Sequence, residues 1–146
     1  MEHARLCACV CVHRPSSELS QFLPCVFFNS DAHVIRNAGG RAAEAVRSIC
    51  ISQQLLGTTE VAVVHHTDCG MLTFKDSDLA GIIKKNLGVD VGDQKFLPFS
   101  DVDQSVRDDV ELLANERLVK PGTVITGFTY DVKTGKLLQV AQQTKA

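Results

Sequence analysis

The chain has 146 residues with 15 basic and 17 acidic side chains, which give a formal net charge of −2. This length suits one domain with its own hydrophobic core. The balanced charge leaves no basic surface for nucleic acid, and no apolar run approaches the roughly 18 residues that a membrane-spanning helix needs. We therefore expect a globular protein whose partners include neither a nucleic acid nor a membrane.

The six cysteines indicate a reducing compartment rather than a disulfide scaffold. Cys7, Cys9 and Cys11 alternate along one apolar segment, and neighbours within a single strand cannot easily form a disulfide bond. This segment is short for a secretory signal and carries the acidic residue Glu2 near its start. These features favour a cytoplasmic protein.

Strand-like and helix-like segments alternate along the chain. This alternation predicts an α/β fold with a mainly parallel β-sheet flanked by helices, and with a C-terminal antiparallel strand. Residues 15–30 are predicted to be irregular because prolines and serines interrupt them. The predicted strands span residues 5–13, 32–35, 60–65, 95–99, 123–130 and 137–141.

The first predicted helix spans residues 41–56 and ends at Gly57. Ile51 and Leu55 fall outside its main apolar stripe and suggest a second packing surface. Together with the Phe-rich residues 22–28 and the terminal hairpin, they lead us to expect at least a dimer.

Two further helices are predicted, and each carries apolar residues at helical spacing. One begins at Asp76 and ends at Gly88, and the other follows a capping pair formed by Ser100 and Asp103. The residues expected to face inward are Leu79, Ile82, Ile83 and Leu87 in the first, and Val102, Val106, Val110 and Leu113 in the second.

The strongest chemical signal follows the third predicted strand. The apolar run Val61–Val64 leads to His66 and Cys69, which form a His-x-x-Cys pair. Imidazole and thiolate are the ligands that zinc prefers, and ligands gather at the carboxyl ends of parallel strands. Two ligands do not complete a site, so spacing alone leaves a structural turn equally open. His65 should lie on the opposite face, as a packed and hydrogen-bonded histidine.

A second loop, after the second predicted strand, carries Gly39 and Gly40 at the start of a helix. Exposed backbone N–H groups at such a position suit a small anion. The glycines are explained as well by a tight turn between strand and helix, and the residues alone favour that explanation.

Three segments together resemble the beta-class carbonic anhydrases of the compact fungal and prokaryotic kind. They are Asp31–Gly40, Arg47–Gly57 and His65–Met71. The resemblance extends over roughly residues 31–142. It implies a mainly parallel sheet with an added antiparallel strand, in a homodimer or higher homo-oligomer.

The resemblance also implies a function. Members of this family are zinc-dependent lyases that hydrate carbon dioxide to bicarbonate through a zinc-bound hydroxide. In this chain, His66 and Cys69 correspond to metal ligands. The residues that correspond to the substrate pocket are Asn37, Gly39, Gly40 and Gly70.

Two alternative functions remain open. The chain could be a catalytically inactive family member that acts by dimerising with an active relative. It could also be a hydrolase of another small linear electrophile such as carbon disulfide, as some relatives are thought to be.

The sequence departs from the family at its N-terminus. Family members carry a Cys-x-Asp-x-Arg motif that supplies a zinc ligand and an Asp–Arg dyad, and this sequence contains no such motif. We therefore assign no catalytic side chain and expect weak activity, since the group that orients the nucleophile is missing. Residues 1–30 are treated as a divergent N-terminal segment, and residues 31–146 as the carbonic-anhydrase-like domain.

Cys11 is the candidate third zinc ligand. Residues 6–12 are the only upstream segment apolar enough for a buried first strand, and Cys11 lies near its carboxyl end. Cys9 is the competitor on the same face, but it should lie about 6–7 Å deeper along the strand. An N-terminal segment that packs elsewhere is an equally open alternative.

Overall fold

The computed structural model describes residues 8–13 and 32–146. The segment 15–30, predicted to be irregular, and the Phe-rich residues 22–28 lie outside the described residues. The division of the chain at residue 30 falls there too, and it stays a prediction.

Within the described residues, five strands form one sheet in the order β2-β1-β3-β4-β5. Its first four strands along the chain carry runs of β-branched and apolar residues, which suit a pleated and half-buried surface. The strands are β1 (Ala8–His13), β2 (Ala32–Asn37), β3 (Glu60–His66), β4 (Val124–Tyr130) and β5 (Leu137–Thr144).

The sheet is mixed. Strands β3 and β4 are parallel, and β5 pairs antiparallel with β4. Strand β1 pairs antiparallel with both β2 and β3, so β2, β3 and β4 share one direction among the described strands. The predicted α/β class and the C-terminal antiparallel strand are confirmed, whereas the reversed direction of β1 was not predicted.

Three α-helices flank the sheet in the described part of the chain: α1 (Val46–Leu56), α2 (Asp76–Leu87) and α3 (Val102–Asn115). Gly57 and Gly88 end α1 and α2 in the left-handed conformation, with φ of 71° and 70°, as their sequence positions predicted. The N-cap of α3 is Asp101 rather than Ser100, and its side chain accepts the N–H of Gln104 at 2.8 Å.

The hydrophobic core lies between α3, α1 and the inner face of the sheet. The inward stripe of α3 is confirmed at Val106, Val110 and Leu113, which are fully buried. The other buried members of the hydrophobic core are Ala42, Ala45, Ile49, Val61, Val63, Val119 and Ile125. This core fixes the carboxyl end of β3 against α3.

Two expectations for the region between β3 and α3 are wrong. Residues 95–99 form an irregular segment instead of a strand, because Leu97 adopts a φ of 58° that no extended strand contains. Helix α2 contributes no buried residue, and Ile82 and Leu87 are 52% and 72% exposed. The other two residues of this predicted face, Leu79 and Ile83, are half-buried, so the described residues cover the face only in part.

Helix α3 lies unusually close to β4 at Gly127. A Cβ atom at this position would lie 2.5 Å from Val106 Cγ1 and 2.8 Å from Val110 Cγ2. We therefore expect Gly127→Ala to destabilise the fold by about 1–3 kcal/mol, because overpacking would push the helix from the sheet. Urea denaturation followed by circular dichroism measures the change.

Gly81→Ala is the matched control for this experiment. Gly81 lies within α2, and a Cβ there would meet nothing within 4 Å. This substitution should stabilise the protein by about 0.5–1 kcal/mol, since alanine is the better helix former. Wild-type stability in Gly127→Ala would mean that α3 and β4 are farther apart than described.

Candidate active site

The His-x-x-Cys pair lies at the carboxyl end of β3. His66 is the last residue of the strand, and Cys69 immediately precedes a short 3-10 turn, Gly70–Leu72. Both side chains are buried, with 8% and 5% of their surface exposed, and Cys69 is a free thiol. The sequence therefore placed both residues correctly at the end of a buried strand.

The hydrogen bonds of His66 identify its tautomer. Its Nδ1 lies 2.7 Å from the carbonyl oxygen of Thr67, which can only accept, so Nδ1 carries the hydrogen. The other ring nitrogen, Nε2, is buried and has no hydrogen-bond partner among the described residues. A buried nitrogen lone pair without a partner costs free energy, and metal-binding histidines have this tautomer. The arrangement fits a zinc ligand.

The loop between His66 and Cys69 is held by hydrogen bonds to the end of β4 and to the turn that follows it. The N–H of Thr67 donates to the carbonyl of Tyr130 at 3.0 Å, and Thr67 Oγ1 accepts the N–H of Val132 at 3.1 Å. Asp68 adopts a left-handed conformation with φ of 55°. These constraints fix how far the chain turns between His66 and Cys69.

The turn beyond β4 is rigid because Asp131 closes it. The carboxylate accepts hydrogen bonds from the backbone N–H of Lys133 and the hydroxyl of Thr134, both at 2.8 Å. These bonds, with that of Lys133 the largest cause, lower the pKa of Asp131. Its contribution to stability is therefore present above the usual pKa of a carboxyl and is lost as the pH falls through the lowered value.

The second predicted loop lies against the loop of residues 67–72 after β3, which is called here the metal loop because it carries the predicted ligand Cys69. Gly39 and Gly40 have φ of 71° and 65°, a conformation that side chains disfavour. A Cβ at Gly39 would lie 2.8 Å from Met71 Cγ and 3.2 Å from Phe99 Cε1. The glycine is therefore required both by the backbone and by the close approach of Met71, which follows Gly70.

Asn37 ends β2 beside these glycines. Its Nδ2 donates to the carbonyl of Arg41 at 2.9 Å, which closes the turn. Its Oδ1 is buried and has no hydrogen-bond partner among the described residues. Three predicted pocket residues thus share one turn, and the fourth, Gly70, belongs to the loop that this turn contacts through Gly39.

His65 is a packed and hydrogen-bonded histidine, as predicted. It is fully buried, its Nδ1 lies 2.8 Å from Ser105 Oγ, and its Nε2 lies 3.1 Å from the carbonyl oxygen of Gly40. The ring stacks on Phe99 with 5.5 Å between centroids. All of its polar atoms are engaged, so it is not available as a metal ligand.

Sequence reasoning missed a buried ion pair beside His65. Asp109 is fully buried, and its Oδ1 lies 3.0 Å from Arg41 Nη2. The signal was present, since Asp109 falls on the apolar stripe of α3 next to Val110. Helical spacing assigns the inward position to Asp109 rather than to the exposed Asp108, but it gives no indication that Arg41 pairs with this carboxylate.

The expectation that Cys11 lies at the same end of the sheet as His66 is wrong, whereas its role as a zinc ligand stays a prediction. Because β1 runs antiparallel to β3, Cys11 lies opposite Ala62, four residues and about 13 Å before His66. Cys9 lies opposite Val64, nearer to the metal loop. For β1 only the backbone pairing is described, which does not include the sulfur atoms of the two cysteines. Across the described residues, no three His, Cys, Asp or Glu side chains form a group that could hold a metal.

A mixed β-sheet flanked by helices, with a buried histidine–cysteine pair at and just beyond the end of a strand in a parallel pair, defines an α/β protein with a candidate metal-binding pair. Beta-carbonic anhydrase 1 of Mycobacterium tuberculosis is 42% identical over 113 residues, which cover 75% of this chain and 68% of the relative. The structure of a carbonic anhydrase from Streptococcus mutans matches with a TM-score of 0.75 at 47% identity, covering 79% of this chain and 70% of that one.

A third relative carries a different activity in its name. The carbon disulfide hydrolase of Saccharolobus solfataricus is 30% identical over 138 residues, which cover 77% of this chain and 67% of the relative. No family model matches the chain. The relatives nevertheless establish that this chain belongs to the beta-carbonic anhydrase family, as its motifs predicted. Along residues 8–13 and 32–146, no helix has the length and apolarity needed to cross a membrane.

Proposed function

We propose that this chain is a zinc-dependent lyase that hydrates carbon dioxide to bicarbonate. Family membership supports the reaction, and one observation in this chain carries the metal: the buried, unpaired Nε2 of His66 in the same loop as the buried thiol of Cys69. The cysteine content favours action in the cytoplasm.

Zinc would be held by His66 and Cys69, together with a third ligand from outside the described side chains. When bound, the ion supplies Lewis-acid activation of water. His66 contributes orientation, because the bond from Nδ1 to the carbonyl of Thr67 fixes the direction of Nε2. Cys69 would contribute a buried sulfur as the second ligand.

The turn at Asn37–Gly40 would bind the substrate, together with Gly70. Carbon dioxide is small, linear and uncharged, so it needs a dry space with a few correctly placed dipoles. The left-handed glycines expose backbone there, and a Cβ at Gly70 would meet nothing within 4 Å. The buried and unpartnered Oδ1 of Asn37 is a further polar group for this space.

Zinc analysis and stopped-flow carbon dioxide hydration on the purified chain test this proposal. We expect about one zinc per chain and a hydration rate above that of buffer which depends on the zinc. If the zinc-loaded protein hydrates carbon dioxide no faster than buffer does, the proposed lyase activity is rejected. That result would support the inactive family member that acts by dimerisation.

A second candidate function is carbon disulfide hydrolysis, which the relative from Saccharolobus solfataricus favours. The two substrates are both linear triatomic molecules, but carbon disulfide is larger and more apolar. Hydrogen sulfide release from carbon disulfide, measured on the same zinc-loaded sample, decides between them. A higher kcat/KM for carbon disulfide than for carbon dioxide would replace the proposed function.

We further propose that the chain forms a homodimer through the outer side of α1. Ile51 and Leu55 are 40% and 77% exposed, and Leu56 beside them is 42% exposed. Exposed apolar residues grouped on one helix are a common sign of a subunit contact. Light scattering at micromolar concentration should give twice the mass of the chain, and Leu55→Lys should shift it toward the monomer.

Leu138→Lys serves as the control for this prediction. Leu138 is a leucine of comparable exposure, 61%, on β5, which is an edge strand in the described sheet order and not part of α1. The same change there should leave the dimer intact. A monomeric wild-type chain would contradict the proposal directly.

A further inference from the structure

A buried cluster lies beside the Asn37–Gly40 turn, which we call the pocket turn. The cluster consists of Asp109, His65 and Arg41 and is called here the Asp109 cluster. The side chains of Asp109 and His65 are fully buried, and that of Arg41 is 13% exposed. Burying a carboxylate is costly unless charges and hydrogen bonds surround it. The function proposed above assigns no role to this costly arrangement.

The carboxylate of Asp109 holds the chain immediately after the pocket turn. Its Oδ2 accepts the backbone N–H of Ala42 at 2.8 Å. Its Oδ1 lies 3.0 Å from Arg41 Nη2, without the alignment of a hydrogen bond, so this contact is an ion pair. Both oxygens of one residue on α3 therefore act on two consecutive residues beyond the turn.

His65 holds the turn itself. Its Nε2 faces the carbonyl oxygen of Gly40 at 3.1 Å and Asp109 Oδ2 at 3.3 Å. Both partners can only accept from it, so Nε2 carries a hydrogen and donates to the turn. On the other side of the ring, Ser105 Oγ lies 2.8 Å from Nδ1 and fixes the ring from α3.

The position of His65 in the strand connects this cluster to the metal loop. Successive residues of a strand project to opposite faces, so β3 presents His66 on one face and His65 on the other. Phe99 closes the cluster, since it stacks on His65 and lies 5.8 Å from the Arg41 guanidinium. The same ring is adjacent to Gly39.

We propose that Asp109 and His65 are positioning residues, which hold the Asn37–Gly40 turn at a fixed place relative to the metal loop. They act through the carbonyl of Gly40 and the N–H of Ala42, and they touch neither substrate nor metal. This inference rests on the proposed function only for its kinetic consequence. The placement of the turn is measurable without any activity.

Hydrogen exchange and kinetics on the full-length Asp109→Ala variant test the proposal. We expect amide exchange in residues 38–44 to accelerate about tenfold, because Ala42 loses its acceptor. We expect kcat/KM per bound zinc to fall about 10–100-fold, because displacing a positioned group by a small distance lowers the rate by about this factor. Zinc content should remain at the wild-type level.

Two further variants separate positioning from general stability. Asp109→Asn keeps an acceptor for Ala42 but removes the charge that pairs with Arg41, so it should restore most of the local protection. Asp108→Ala changes the exposed neighbour on α3 and should have no effect. Exchange that rises equally in β3, α3 and residues 38–44 would overturn the proposal.

The outcomes also separate this inference from the proposed function. If the wild-type chain hydrates no carbon dioxide, local exchange in residues 38–44 still decides whether the cluster positions the turn. If Asp109→Ala does not fold, Ser105→Ala removes the partner of His65 Nδ1 and should give a smaller local increase. An unchanged exchange rate in Ser105→Ala would then reject the inference.

Discussion

Substitution of His66 by alanine, or of Cys69 by serine, should reduce bound zinc from about one ion per chain to near zero. A structural zinc site needs four ligands and a catalytic site three from the protein, so losing one leaves too few for a stable site. Both residues are buried, His66 as the last residue of β3 and Cys69 in the loop that follows it. Elemental analysis after dialysis measures the loss.

Matched controls exist for both substitutions. His65→Ala removes the adjacent histidine, whose polar atoms are already engaged, and should leave the zinc content nearly unchanged. Cys50→Ser alters the other free cysteine among residues 32–146, and it should also retain zinc. Loss of zinc in His65→Ala but not in His66→Ala would show that the orientation of β3 is opposite to the one described.

Replacing residues 1–30 by a family-type first strand that bears Cys-x-Asp-x-Arg should raise carbon dioxide hydration about 100-fold or more. The motif would supply the missing thiolate and the Asp–Arg dyad that orients the reacting water, and orientation effects are commonly of this size. Stopped-flow measurement of kcat/KM per bound zinc is the relevant comparison. Zinc affinity should rise as well, because the site gains a ligand.

The control for this replacement is the same chimera with the Asp of the introduced motif changed to Asn. It retains the added thiolate, so zinc should bind tightly while the rate stays low. Equal rates in the original chain and in both chimeras would show that the dyad is dispensable here. In that case, residues within 32–146 would have to orient the reacting water.

Local sequence signals predicted the parts of the fold that depend on local chemistry. Gly57 and Gly88 end their helices because a left-handed residue is needed there, and the stripe of α3 is buried because its spacing is helical. The direction of β1 could not be predicted in this way. An apolar strand is equally satisfied by either direction, and only long-range pairing decides between them.

The same limit applies to the candidate site. His66 and Cys69 were found because their spacing and the preceding strand belong to one segment of sequence. The ion pair between Arg41 and Asp109 joins residues that are 68 positions apart, and the local sequence around one residue does not indicate that it pairs with the other. Periodicity indicated that α3 has a buried face, but it did not identify the charge that this face carries.

The two residues between His66 and Cys69 specify shape rather than chemistry. Asp68 occupies a backbone conformation that glycine, asparagine and aspartate tolerate and β-branched residues do not. At Thr67 a hydroxyl is favoured, because its Oγ1 accepts the N–H of Val132 in the segment after β4. The pair therefore sets the spacing of His66 and Cys69, through the backbone conformation at Asp68 and the hydroxyl of Thr67.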